Sequence, residues 1–78
     1  MVERIKGILE EFDEDILTYE GDNLFTAGLL DSLTVTMLIG KLEDEFDIEI
    51  DAEYINEDNF KSVSEIIKLI ETVAEEKK

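Results

Sequence analysis

Apolar residues recur at helical spacing from the start of the chain. Ile5, Ile8, Leu9 and Phe12 fall at the i, i+3, i+4, i+7 positions of one face, with Glu3, Arg4, Glu10 and Glu11 elsewhere on the wheel. This spacing predicts an amphipathic helix over residues 2–12. From 13 to 31 the periodicity lapses and turn formers appear (Gly21, Asp22, Asn23, Gly28), while Leu24, Phe25, Leu29 and Leu30 stay apolar. The segment reads as a long loop pinned to the core by those side chains. Loops beyond about 12–15 residues are uncommon in compact domains and are often functional, which draws attention to Asp31 and Ser32, where this one ends.

The strongest helical pattern runs over residues 32–46, with Val35, Leu38, Ile39, Leu42 and Phe46 on one stripe and Glu43, Asp44 and Glu45 off it. Asp31 or Ser32 is placed to cap its start. In FDIEID (46–51), Ile48 and Ile50 alternate with acids as in a strand, but no second strand pattern exists to pair with them. An extended connection is expected. Residues 52–56 read as a short helical turn around Tyr54 and Ile55, and NEDNF (56–60) then interrupts the pattern with cap and turn residues. Ser62 followed by Glu65 is a capping-box signature, and Val63, Ile66, Ile67, Ile70 and Val73 continue at helical spacing. The closing EEKK reads as a fraying end. The expectation is an all-α fold, a small four-helix bundle of three main helices and one short one, forming a single domain over residues 1–78.

Composition narrows the function. A chain of 78 residues buries only about 60% of the surface its unfolded form exposes, so a large enclosed active site is not expected. No stretch reaches the roughly 20 apolar residues that span a bilayer, and MVERIKGILEEFDED (1–15) has neither a signal-peptide core nor a basic flank. A cytoplasmic protein is expected. Cysteine and histidine are both absent, which removes disulfides, thiolate metal sites and the commonest general base. Independent enzymatic activity is therefore not expected, and no catalytic or metal-ligating residue is assigned.

Twenty-two acidic residues against seven basic ones give a formal charge of −15. Such a surface repels phosphate backbones and anionic lipid head groups, so nucleic acid and membrane surfaces are excluded as partners. It favours partners with basic docking faces, steered together at low ionic strength; solubility alone is the bland alternative.

The segment LFTAGLLDSLTVTMLIGKLEDEFDIEI (24–50) resembles the phosphopantetheine attachment region of acyl and peptidyl carrier proteins, centred on Gly28, Leu29, Leu30, Asp31, Ser32 and Leu33. A serine before a helix is by itself most often an N-cap. Here helix order, the long loop, the acidic balance, FDIEI after the second helix and Phe60 before the last match the family together, over essentially the whole chain. The resemblance implies a free-standing, monomeric carrier on which Ser32 takes 4′-phosphopantetheine from coenzyme A. The thiol of that arm would hold acyl intermediates as thioesters for partner enzymes. The phosphodiester would sit at a helix N-terminus, where unpaired N–H groups and the positive dipole end favour an anion. Asp31 would contribute to recognition by the phosphopantetheinyl transferase, a role compatible with capping. The other implied partners are an acyl- or aminoacyl-loading ligase, transferases and synthases.

On a helical wheel Leu33, Met37, Gly40 and Asp44 fall opposite the core stripe. Leu33, Met37 and Asp44 are thus candidates for partner docking, the alternative being that Leu33 packs under the loop and Met37 is an ordinary surface residue. Typical fatty-acid carriers resemble Asp-Ser-Leu followed by an acid within the next turns, whereas Thr34, Thr36, Met37, Gly40 and Lys41 delay acids here to Glu43. An acyl carrier of fatty acid, lipid or polyketide-type biosynthesis is the first expectation. A D-alanyl or other aminoacyl carrier, which residues 25–32 and Phe60 resemble equally, is the alternative. An acidic adaptor without a prosthetic group is the further one. Calcium binding by Asp47, Glu49, Asp51 and Asp58 fails on spacing, because an EF-hand loop from Asp47 would put Ala52 where glycine is needed and Asp58 where a bidentate Glu belongs.

Overall fold

The structure, a computed structural model, describes residues 1–77. Three long helices carry the fold: α1 (Val2–Phe12), α3 (Ser32–Phe46) and α5 (Val63–Lys77). Between them lie two single-turn helices, α2 (Asp15–Thr18) and α4 (Glu57–Phe60), and a 3-10 turn at Ala52–Tyr54. The long helices occupy the segments that the apolar periodicity marks, and their stripes meet in one core. Ile5 and Leu9 of α1, Leu38 and Leu42 of α3, and Ile66 and Ile70 of α5 are all 0% exposed. On α5, Leu69 is buried while Val63 and Ile67 are half-buried, so the inward stripe is rotated slightly from the one read off the sequence. Among the described residues no polar or charged side chain is buried, and the interior carries no unpaired polar group to offset the gain from burying hydrocarbon.

The 13–31 segment is more ordered than a plain loop. Its first part contains α2, which the sequence does not announce because four residues cannot display a helical period. Asp13 starts that turn: its carboxylate accepts the Asp15 N–H at 2.9 Å and its carbonyl accepts the Ile16 N–H at 3.0 Å. Ile16, fully buried, holds the turn against the core. Farther on, the Leu24 N–H donates to the Lys61 carbonyl at 2.7 Å. The Leu29 and Leu30 N–H groups both return to the Leu24 carbonyl, at 3.0 and 3.2 Å, closing a tight turn. Gly28 makes that turn possible at φ 80, a conformation that costs an L-residue roughly 1–2 kcal/mol. Leu24 and Leu30 bury as expected.

Asp47, in the left-handed region at φ 52, caps the C-terminus of α3 and turns the chain. Ile48 and Ile50 then bury along an extended connection, whose Ile50 N–H donates to the Glu43 carboxylate at 2.9 Å. NEDNF differs from its reading as an interruption. Asn56 is an N-cap whose side chain accepts the Asn59 N–H at 3.0 Å, and α4 follows, ending on the fully buried Phe60. The C-terminal end differs as well: α5 continues through Lys77, and Glu76 accepts the Tyr54 hydroxyl at 3.0 and 3.1 Å, tying the helix to the 3-10 turn. Lys78, the last residue of the expected frayed end, lies outside the described residues. The Ser62 hydroxyl accepts the Glu65 N–H at 3.2 Å, which is one half of the expected capping box.

Phe60 is the largest fully buried side chain and joins α4 to the core. Phe60→Ala is expected to lower unfolding free energy by about 3–5 kcal/mol. Urea titration followed by circular dichroism measures the loss.

Candidate functional site

The loop delivers the chain to α3 in extended geometry, with Asp31 at φ −144 and ψ 177. Asp31 is the N-cap: its Oδ1 accepts the Thr34 N–H at 2.8 Å. Of the two residues placed to cap, the structure thus selects Asp31. Its carboxyl is held below its ordinary value of 3.8, first by the hydrogen bonds from Thr34 and then by the Leu33 N–H. Ser32 is the first residue of the helix and is exposed. Its carbonyl accepts the Thr36 hydroxyl at 2.9 Å, while its own hydroxyl has no hydrogen-bond partner among the described residues.

Beside Ser32 lies an open groove of about 340 Å³, at the low end of the roughly 300–1,000 Å³ typical of small-molecule sites. Phe25, Val35 and Ile55 give it apolar walls; Thr36, Asn56 and Glu57 add polar groups. The groove joins the loop before the serine, the first turns of α3 and the segment between the 3-10 turn and α4. Sequence reasoning singled out Ser32 but missed Asn56 and Glu57, whose only signal was the cap-forming Asn-Glu-Asp run. The remaining candidates lie along α3: Leu33 is 71% exposed, Met37 is 55% exposed, and Gly40 and Asp44 are exposed on the same helix. Leu33 therefore does not pack under the loop. Ile55, 43% exposed, adds an apolar side chain at the groove that the helical wheel could not place.

Among the described residues no three or more acidic side chains converge to hold a metal ion, and no helix is long and apolar enough to cross a membrane. The arrangement at Ser32 presents an exposed, unengaged hydroxyl at the N-terminus of a 15-residue helix. Its N–H groups and dipole suit a phosphodiester.

Residues 2–70 match the family model of the phosphopantetheine attachment site, and the chain belongs to that family. It is a carrier protein whose prosthetic group is covalently attached 4′-phosphopantetheine, and the geometry at Ser32 fits such a group. Among its relatives, the D-alanyl carrier protein of Streptococcus mutans is 36% identical over 66 residues, covering 85% of this chain and 84% of that protein. The D-alanyl carrier protein of Streptococcus sanguinis is 35% identical over the same length. That of Streptococcus pyogenes serotype M5 is 34% identical over 68 residues, covering 82% of this chain and 86% of that protein. No solved structure matches the chain.

Two outcomes follow from the capping geometry. Ser32→Ala should change unfolding free energy by no more than about 0.5 kcal/mol, because Ser32 is not the cap; a loss near 1 kcal/mol, the usual cost of a missing cap, would contradict this assignment. Asp31 has a lowered folded-state pKa, so its ionised form contributes stability above its unfolded value of 3.8, and that contribution is lost as pH falls through the folded pKa. Asp31→Asn keeps a capping acceptor without the charge. The stability gap between parent and Asp31→Asn, measured by urea titration at successive pH values, should stay level at neutral pH and close below about 3.8.

Proposed function

We infer that this protein is an aminoacyl carrier holding D-alanine as a thioester on a phosphopantetheine arm attached through Ser32. The observation that carries the reading is the exposed, unengaged Ser32 hydroxyl at the start of α3, with Asp31 already serving as the cap. The relatives support D-alanine over a fatty acyl chain, since those compared above are D-alanyl carriers. The helix itself agrees: Thr34, Thr36, Met37, Gly40 and Lys41 stand where typical fatty-acid carriers place an early acid.

In this reading the chain catalyses nothing. A phosphopantetheinyl transferase supplies the base that takes the Ser32 proton as its oxygen bonds the phosphorus of coenzyme A, releasing the adenosine bisphosphate; Asp31 contributes to recognition. When bound, the arm supplies a thiol for thioester formation. A ligase loads the amino acid and a transferase removes it, both in the cytoplasm. They dock with basic faces near Leu33, Met37 and Asp44, steered by the charge of −15.

Intact mass spectrometry tests this after incubation with coenzyme A, magnesium and a broad-specificity phosphopantetheinyl transferase. One arm should add to the parent and none to Ser32→Ala, and the holo form should then accept D-alanine from a D-alanine-activating ligase with ATP. Loading by a fatty-acyl ligase alone would return the cargo to the acyl class. Absence of any arm on a folded parent would favour the adaptor.

A further inference from the structure

We propose that Glu57 is a specificity-determining residue for the cargo: the groove beside Ser32 receives the aminoacyl thioester, with its ammonium against the Glu57 carboxylate. The inference rests on the aminoacyl reading above and adds how the chain itself tells such a cargo from a neutral or anionic one. Glu57 is the one charged side chain among the residues lining the groove. It has no ion-pair partner among the described residues, whose close pairs are Arg4 with Glu45 and Lys41 with Glu11, both joining α1 to α3.

Glu57 is also held in place. The Asn23 Oδ1 accepts the Phe25 and Thr26 N–H groups at 2.9 and 3.3 Å, which fixes the amide plane. Its Nδ2 then donates to Glu57 Oε2 at 3.2 Å. One carboxylate oxygen is thereby engaged, and Oε1 has no partner among the described residues. Glu57 opens α4 immediately after its cap residue, Asn56, whose own side chain is bonded to the Asn59 N–H. Asn23 is thus a positioning residue that holds the carboxylate of Glu57, which lines the groove shared with Ser32.

The groove chemistry suits an arm that ends in an amino acid. Phe25, Val35 and Ile55 can pack its methylene and methyl groups, while Thr36 and Asn56 can meet its amides. A cationic end gains from the held carboxylate, and the surrounding charge of −15 adds to that attraction. A carboxyacyl end is repelled by both, and a hydroxyacyl end gains one hydrogen bond to the carboxylate but no charge attraction. Glu57 is exposed, so the attraction is modest and screened by salt. It biases where the arm rests without locking it there.

The test compares D-alanyl and D-lactyl arms, which differ in an ammonium against a hydroxyl. Each is transferred whole from its coenzyme A thioester to the 15N-labelled protein, with intact mass confirming one arm per chain. Both arms share the pantetheine contacts with the groove, so the D-alanyl arm should shift the amide resonances of residues 55–57 and the Asn23 side-chain amide further than the D-lactyl arm does. Glu57→Gln and high salt should each remove the difference, while Glu10→Gln on α1 should leave it. Equal shifts from both arms, or an excess D-alanyl shift that survives in Glu57→Gln, would overturn the role of Glu57 and leave the carrier reading intact. Failure of the parent to take up either arm, seen in the mass, would overturn the carrier reading and this inference with it.

Discussion

The bond from the Thr34 N–H to the Asp31 carboxylate decides what Ser32 can do. A helix begins with four N–H groups that lack intrahelical partners, and a serine hydroxyl at the cap would be drawn into satisfying one of them. With Asp31 in that position, Ser32 falls one residue inside the helix, and its hydroxyl faces solvent without a partner among the described residues. The requirement propagates backward along the chain. Asp31 can cap only if the chain arrives extended, which places Leu30 in the core and leads into the turn that Gly28 closes at positive φ. That turn is itself anchored by the Leu24 N–H on the Lys61 carbonyl, so the register of the long loop depends on the segment just before α5.

The three long helices were legible because each repeats its apolar stripe over several turns. The position of Ser32 was legible as well, though whether it or Asp31 capped the helix was not: both residue types cap well, and the choice turns on the backbone angles at Asp31. α2 and α4 escaped for a common reason. Each is a single turn, held by one fully buried side chain, Ile16 or Phe60, and a turn with one anchor has no period to read. Asn56 looked like a breaker because the residues that end helices also start them; only the bond to the Asn59 N–H distinguishes the two. The continuation of α5 to Lys77 was not legible because its tether, Tyr54 on Glu76, spans 22 positions. The groove was invisible for the same reason, since it assembles residues 25, 32, 35, 36 and 55–57.

The charge is arranged so that it does not tax the core. Every acid lies outside the buried set, and the interior is hydrocarbon throughout. The two close ion pairs bridge α1 and α3, with nitrogen–oxygen distances of 2.8 and 4.0 Å. Exposed pairs of this kind contribute little to stability, on the order of 0–1 kcal/mol. Their greater effect is on where negative charge is left uncompensated: Arg4 and Lys41 pair across the α1–α3 seam, and Glu57 in the groove has no ion-pair partner among the described residues.

Size then explains why the site is open. A fold of this length has one core, and Leu38, Leu42, Phe60, Ile66 and Ile70 are among the side chains fully buried in it. What lies beside Ser32 is a groove with one side in solvent, so an occupant exchanges only part of its water for protein contacts and is held weakly. Weak holding suits a carrier, whose cargo must leave for the next protein. Selectivity in such a groove cannot come from enclosure, because no wall excludes a larger or smaller occupant. It has to come from charge and from a few fixed polar groups, and among the residues lining this groove the fixed charge is Glu57, held by Asn23.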